Sequence, residues 1–185
     1  LGGTGAPAYA AMKHGLAGLN KTYCDGYKAF TSYRNSKNYG DNWISAGYSL
    51  WFLREAKYLN NSRMILGTSC AISGTGFMID RTLLEDEDGY ASWKYFLLTE
   101  DIEFTTDKII DGEIIGYCDD AVFYDEQPVT FKQSWDQRMR WAKGFLQVFG
   151  NYGRQLIRGL FGKKRRSKEK RASKSRFSCF DVAMT

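Results

Sequence analysis

Gln137, Arg140 and Trp141 stand at i, i+3 and i+4 within Ser134 to Phe149, a run without proline, so on a helix their side chains share one face. Arg140 offers a forked, permanently charged donor suited to phosphate oxygens. Trp141 supplies a flat ring for a sugar face and one N–H for a hydroxyl, and Gln137 an amide that donates and accepts. Upstream, Thr99-Glu100-Asp101 sets two adjacent carboxylates at a strand-to-helix junction. Together the two motifs suit a site that holds an anionic diphosphate and a sugar ring beside a catalytic base. Each also has an ordinary reading. The first is an amphipathic helix with a core Trp and a solvated Arg. The second is a helix N-terminus capped by Thr99 or Asp101, with favourable acids in its first turn.

The elements that must position these residues are legible in outline. Apolar residues at Trp135, Met139, Trp141, Ala142, Phe145, Leu146, Val148 and Phe149 predict a largely buried helix after Pro128. Asp101 to Asp111 reads as a helix, and Trp43 to Leu66 as a long helical pattern broken at Asn60-Asn61. Tyr27 to Tyr33, Glu113 to Cys118 and Ala121 to Tyr124 read as strands. Cys70 to Ile79 forms two short apolar pieces around Ser73-Gly74-Thr75-Gly76, where the glycines permit close backbone approach. A short helix is expected from Arg81, ahead of an acidic loop at Glu85 to Gly89. Trp93, Tyr95 and Phe96 read as core rather than as the lining of a sugar channel. Strands alternating with helices predict an α/β fold whose functional loops gather at strand ends.

Composition narrows the classes. The 185 residues suit one domain. A content of 43% hydrophobic and 16% aromatic residues excludes a disordered chain. No apolar run reaches the roughly 20 residues of a membrane-spanning helix, and no signal peptide is visible. Cys24, Cys70, Cys118 and Cys179 lie far apart beside a single His14, which argues against zinc and for reduced thiols in a cytosolic domain. The net charge of +5 is uneven. Gly162 to Arg176 holds nine basic residues and Glu169, a local +8 that leaves the remainder at −3. No aromatic residues interleave with this run, so nucleic acid is the weakest of its expected partners. Flanked by Leu156, Ile157, Leu160, Phe161, Phe177 and Phe180, residues 163–176 suit an anionic membrane surface or a solvated linker.

From about Leu19 to Thr185 the chain resembles the inverting, membrane-embedded family 2 glycosyltransferases, the group of cellulose, chitin, hyaluronan and poly-N-acetylglucosamine synthases. Three motifs carry the resemblance in order: Ser73-Gly74-Thr75-Gly76-Phe77, Thr99-Glu100-Asp101, and Gln137 with Arg140-Trp141. It implies the C-terminal half of a GT-A, Rossmann-like domain over 19–161. An unmatched Gly/Ala-rich segment (1–18) precedes this half, and a polybasic juxtamembrane segment (162–185) leads from it to membrane helices. It implies transfer of a sugar from a nucleotide-sugar, expected to be a UDP-sugar, to a growing polysaccharide or lipid-linked acceptor. Asp101 would be the general base. Thr99, Glu100, Gln137, Arg140, Trp141, Gly74, Thr75 and Gly76 would touch donor or acceptor. The family also implies a divalent Mg or Mn held by an Asp-x-Asp motif, with a uridine pocket, from an N-terminal half that this sequence does not show. The spacing at Asp86-Glu87-Asp88 reads as a solvent loop. The chain is therefore expected to be the middle of a larger multi-pass protein of the cell membrane, inactive alone, on the cytoplasmic face. A non-enzymatic remnant that binds glycan or membrane is the alternative.

Overall fold

The computed structural model describes residues 25–83, 93–161 and 169–184, with side chains from 176 to 183 in the last segment. β1 (Ala29–Ser36) lies at the centre of a three-stranded sheet, antiparallel to β2 (Phe77–Ile79) and parallel to β3 (Ile115–Asp125). Its first four residues, Ala29 to Ser32, are all buried, as a central strand covered on both faces requires. The two strands expected at 113–118 and 121–124 form one. Opposite Ser32 and Tyr33 the β3 partner jumps from Cys118 to Val122, an irregularity that inserts Asp119 to Ala121 without ending the strand. Lys57 Nζ and the Tyr117 hydroxyl, at 2.5 and 2.8 Å, hold the Asp119 carboxylate.

The helical run 43–66 is continuous, winding as α1 (Trp43–Leu53), a π-helical segment (Arg54–Asn60) and α2 (Asn61–Leu66). Asn42 opens it: its Oδ1 accepts from the N–H groups of Ile44 and Ser45 at 3.0 and 3.1 Å, and Ser45 Oγ accepts from Asn42 N–H at 3.3 Å. The break expected at Asn60-Asn61 is instead a change of winding that ends there. Arg81–Leu83 is a single 3₁₀ turn where a short helix was expected. The acidic loop 85–89, Asp86 and Asp88 included, lies outside the described residues, as do segment 1–18 and Cys24. α3 (Glu100–Asp111) stops at Gly112, whose φ of 87° gives the left-handed cap. α4 (Phe131–Phe161) and α5 (Glu169–Met184) complete the chain. Among the described residues no helix is long and apolar enough to cross a membrane.

The expectation of a largely buried helix after Pro128 is corrected. Within α4 Ser134, Gly144 and Val148 are buried and Gln137 and Trp141 half-buried, a stripe at steps of three and four. Trp135, Met139, Phe145, Leu146 and Phe149 are exposed. The helix packs along one side, against α3, α5 and the Ile44-Tyr48-Phe52 cluster of α1, so only one stripe can be covered. Apolar residues all round a helix conceal which side that is.

Two close approaches fix α4. A Cβ on Gly144 would stand 2.5 Å from Thr99 Cγ2 and 2.6 Å from Thr99 Oγ1, and one on Gly159 would stand 2.9 Å from Cys179 Sγ. α5 is also tied to α2, where Arg63 Nε donates to Asp181 Oδ2 at 2.6 Å. The main core gathers Ala29, Ala56, Cys70, Ile72, Leu83, Tyr95, Phe104, Ile115 and Tyr117, with Trp93 against it. Tyr95 thus fulfils its core reading, whereas Phe96 is 82% exposed and does not.

Gly144→Ala is expected to destabilise the fold by about 1–2 kcal/mol, because overpacking of about 1–3 kcal/mol exceeds the helix-propensity gain of up to about 1 kcal/mol. Thr99→Ala in the same chain should recover part of that loss in a denaturant titration. A stabilised Gly144→Ala protein would show that the two helices are not held this closely.

Candidate active site

Asp101 occupies the first turn of α3, beside Glu100 and two residues ahead of Glu103, where the helix N-terminus favours negative charge. Of the two capping roles expected there, that of Thr99 is corrected. Thr99 sits at the cap position but makes no side-chain cap bond, and its buried Oγ1 has no partner. Its methyl and hydroxyl are turned to Gly144 instead. Asp101 Oδ1 accepts the neighbouring Ile102 N–H at 2.9 Å, and its Oδ2 accepts the Gly74 N–H at 2.5 Å. The carboxylate is therefore oriented by two backbone donors from separate parts of the chain.

Gly74 can present that N–H because its φ is +70°, a conformation L side chains rarely adopt. The side where a Cβ would stand is taken by Arg34, with Nη1 2.7 Å from that position. At Gly76 (φ +76°) the same space is filled by the Phe123 ring, and Ser32 Oγ donates to the Gly76 carbonyl at 2.5 Å. Gly74 thus belongs with Asp101, and Gly76 with the sheet; Thr75 is exposed between them. Ile72, Gly74, Phe77, Trp93, Glu100, Asp101 and Phe104 line a small cavity whose wall is largely apolar. In this setting burial pushes the Asp101 carboxyl above its ordinary range, and the neighbouring Glu100 charge adds to the rise. The Gly74 and Ile102 N–H bonds pull it down.

The Gln137-Arg140-Trp141 face is split by packing. Trp141 meets Tyr48 edge-on at 6.0 Å between ring centroids, in the α1 cluster. Gln137 is half-buried with an unpartnered Oε1, and Arg140 is exposed with no ion pair among the described residues. Gly144 lies one turn beyond Trp141, so the stripe Gln137-Trp141-Gly144 runs into Thr99 and reaches the helix that carries Asp101. Arg34, Glu55 and Gly144 lie outside the motifs read from sequence, and Ser73 entered only as the first residue of the glycine motif. A glycine one turn past Arg140-Trp141 inside an apolar helix was the available signal for Gly144.

A divalent metal does not fit the described residues. They contain no group of three His, Cys, Asp or Glu side chains able to hold one.

With burial raising its carboxyl, Asp101 binds a proton more readily in the folded than in the unfolded chain. Stability therefore falls as pH rises from the ordinary carboxylate range through the raised value. Asp101→Asn is expected to raise the melting temperature at neutral pH, with the gain vanishing in acid below the ordinary carboxylate value. A gain that is equal at both ends of the pH range would contradict this origin.

The family model of Glycosyl transferase family group 2 matches residues 13–177. Over 73 residues the chain is 37% identical to the probable glycosyltransferase YdaM of Bacillus subtilis (strain 168), a stretch that covers 40% of this chain and 17% of that protein. The mixed α/β sheet with its flanking helices is consistent with part of a GT-A domain.

Proposed function

The chain belongs to glycosyl transferase family group 2, and on that premise we propose that it forms the acceptor-activating part of a site that moves a sugar from a nucleotide-sugar, a UDP-sugar, to a growing polysaccharide or lipid-linked glycan. The observation that carries this reading is the Asp101 carboxylate, pinned by Gly74 N–H at the edge of a cavity and raised by burial. A sugar hydroxyl is a poor nucleophile, and a carboxylate within hydrogen-bond reach removes its proton as it attacks. The acceptor oxygen forms a bond to the anomeric carbon while the bond from that carbon to the diphosphate oxygen breaks. The electron pair leaves with the nucleotide, the proton passes to Asp101, and one displacement inverts the centre. The raised proton affinity of Asp101 favours that transfer.

Arg140, exposed and without an ion pair among the described residues, is assigned to the diphosphate oxygens. The unpartnered Gln137 amide oxygen accepts a donor or acceptor hydroxyl, and Trp141 backs the sugar ring. Glu100 and Thr99 border the base, and Gly74 to Gly76 form the acceptor side. The donor diphosphate calls for Mg or Mn, held by residues other than those described.

In the protein carrying this chain, Asp101→Asn should lower kcat by about 10²–10⁴-fold while leaving donor binding intact. Arg140→Lys should act conversely, weakening donor binding by about tenfold through loss of one charge-assisted bond. Turnover near wild type in the first variant removes Asp101 as base, and unchanged affinity in the second makes Arg140 structural. A wild-type protein that binds glycan without transfer would identify a binding remnant instead.

Residues 163–176 are assigned to the anionic, cytoplasmic surface of a membrane, a reading supported by their charge and by the exposed Ile157 and Phe161 in the last turns of α4. Sedimentation with phosphatidylserine vesicles should be strong at low salt and fall steeply near physiological salt. No sedimentation at low salt excludes the placement.

A further inference from the structure

A second carboxylate reaches the loop that holds Asp101 and takes no part in the chemistry above. Glu55, on the π-helical segment, accepts a hydrogen bond from Ser73 Oγ at 3.1 Å. The next residue, Gly74, donates its N–H to Asp101 at 2.5 Å. Two carboxylates from two helices thus grip consecutive loop residues. Five residues after Glu55, Asn60 grips the same segment further back. Its Oδ1 accepts the Ala71 N–H at 3.3 Å and its Nδ2 donates to the Ala71 carbonyl at 3.4 Å.

The winding makes this possible. In a π-helix residue i bonds to i+5, so residues five apart lie about one turn apart on roughly the same side. On an α-helix, at about 100° per residue, they would diverge by about 140°. Glu55 and Asn60 reach one short segment, Ala71 to Ser73, because Arg54–Asn60 is wound this way. On its other side the loop meets Arg34, which is paired with Asp125 and lies over the Phe52 ring. The loop is held from both directions.

We propose that Glu55 is a positioning residue: through Ser73 it fixes the Ser73–Gly76 loop so that the Gly74 N–H meets and orients the Asp101 carboxylate. This rests on the reading of Asp101 as the base. Position and charge act in opposite directions here. The groups bearing on Glu55 are Ser73 from the loop, Arg34 from β1, Arg63 from α2 and Asp101 from α3; those bearing on Asp101 are the Gly74 and Ile102 N–H groups and Glu100. Releasing the Gly74 N–H raises the proton affinity of Asp101, since that bond favours the ionised form. Removing a nearby negative charge lowers it.

The test uses Glu55→Ala, Glu55→Gln and Ser73→Ala in the protein carrying this chain. It reads kcat, the acid limb of the kcat–pH profile and the ¹³C titration of the Asp101 carboxyl. Glu55→Ala and Ser73→Ala should each lower kcat by about 10–100-fold, the cost of a base displaced by a fraction of a bond length up to an ångström. Both should move the limb and the titration to higher pH, and the double variant should be no worse than either single. Glu55→Gln, which still accepts from Ser73, should recover most of the loss. Unchanged kcat and titration in the Ala variants overturn the proposal. So does a titration shifted to lower pH, or a Gln variant as impaired as the Ala variant, since either assigns the effect to charge. Ser73→Ala deletes one hydroxyl and keeps the test open if Glu55→Ala fails to fold. The titration is read without turnover, so it decides the Glu55 question even if Asp101→Asn proves active.

Discussion

One carboxylate, drawn out of water and held by the backbone N–H of a glycine 27 residues earlier, is the constraint around which this structure is arranged. An ionised carboxylate loses several kcal/mol of hydration on burial unless donors replace the lost water. At Asp101 the replacements are the Gly74 and Ile102 N–H groups and the N-terminal end of α3. They leave a net excess of desolvation, which is why the carboxyl sits above its ordinary range. A fold that keeps a group in this state sacrifices stability at neutral pH, and the return is a carboxylate with heightened proton affinity at the rim of a cavity.

The demand spreads outward through contacts that tolerate little change. Gly74 must take a left-handed conformation, and Arg34 fills the space beside it. The loop preceding it is gripped by the π-helical segment, which interrupts an otherwise regular helical run. On the opposite side the N-terminus of α3 is pressed by α4, where the absence of a side chain at Gly144 lets Thr99 approach. That approach brings the stripe Gln137-Trp141 to the helix that carries Asp101 without any direct bond between the two motifs. The orphaned Oγ1 of Thr99 and Oε1 of Gln137 mark polar groups that this packing leaves unsatisfied, as sites prepared for a ligand commonly do. The outer side of the same helix exposes Trp135, Met139, Leu146 and Phe149, an apolar surface well beyond scattered single residues.

Much of this was readable from residue order. Hydrophobic periodicity located the 43–66 run, α3 with its start misplaced by one residue, and the first half of α4, whereas α5 lies in a stretch read only as a polybasic juxtamembrane segment. The glycine-rich turn and the acidic pair marked two segments that meet at Asp101, and the Gln-Arg-Trp spacing marked the helix that reaches Thr99 through Gly144. Failures had specific causes. Asp119-Asp120 looked like a strand end, because a register irregularity and a break carry the same polar signature until the partner strand is known. Asn60-Asn61 looked like a helix stop, yet Asn60 spends its amide on Ala71, and the run continues. α4 looked buried because it is apolar on several sides.

What the sequence determined by itself was local. It specified which stretches wind or extend, where glycine permits unusual backbone, and which side chains have the chemistry of a base or a phosphate donor. These follow from the torsional preferences and polarity of each residue with its near neighbours. Only the tertiary structure decided that Gly74 rather than Gly76 serves Asp101, that Thr99 packs rather than caps, and that Glu55 reaches Ser73. Each of those is a contact between elements 18 to 45 residues apart. Such contacts depend on which face of each helix turns inward. That choice is made by the whole set of surfaces competing to be covered, which no window along the chain contains.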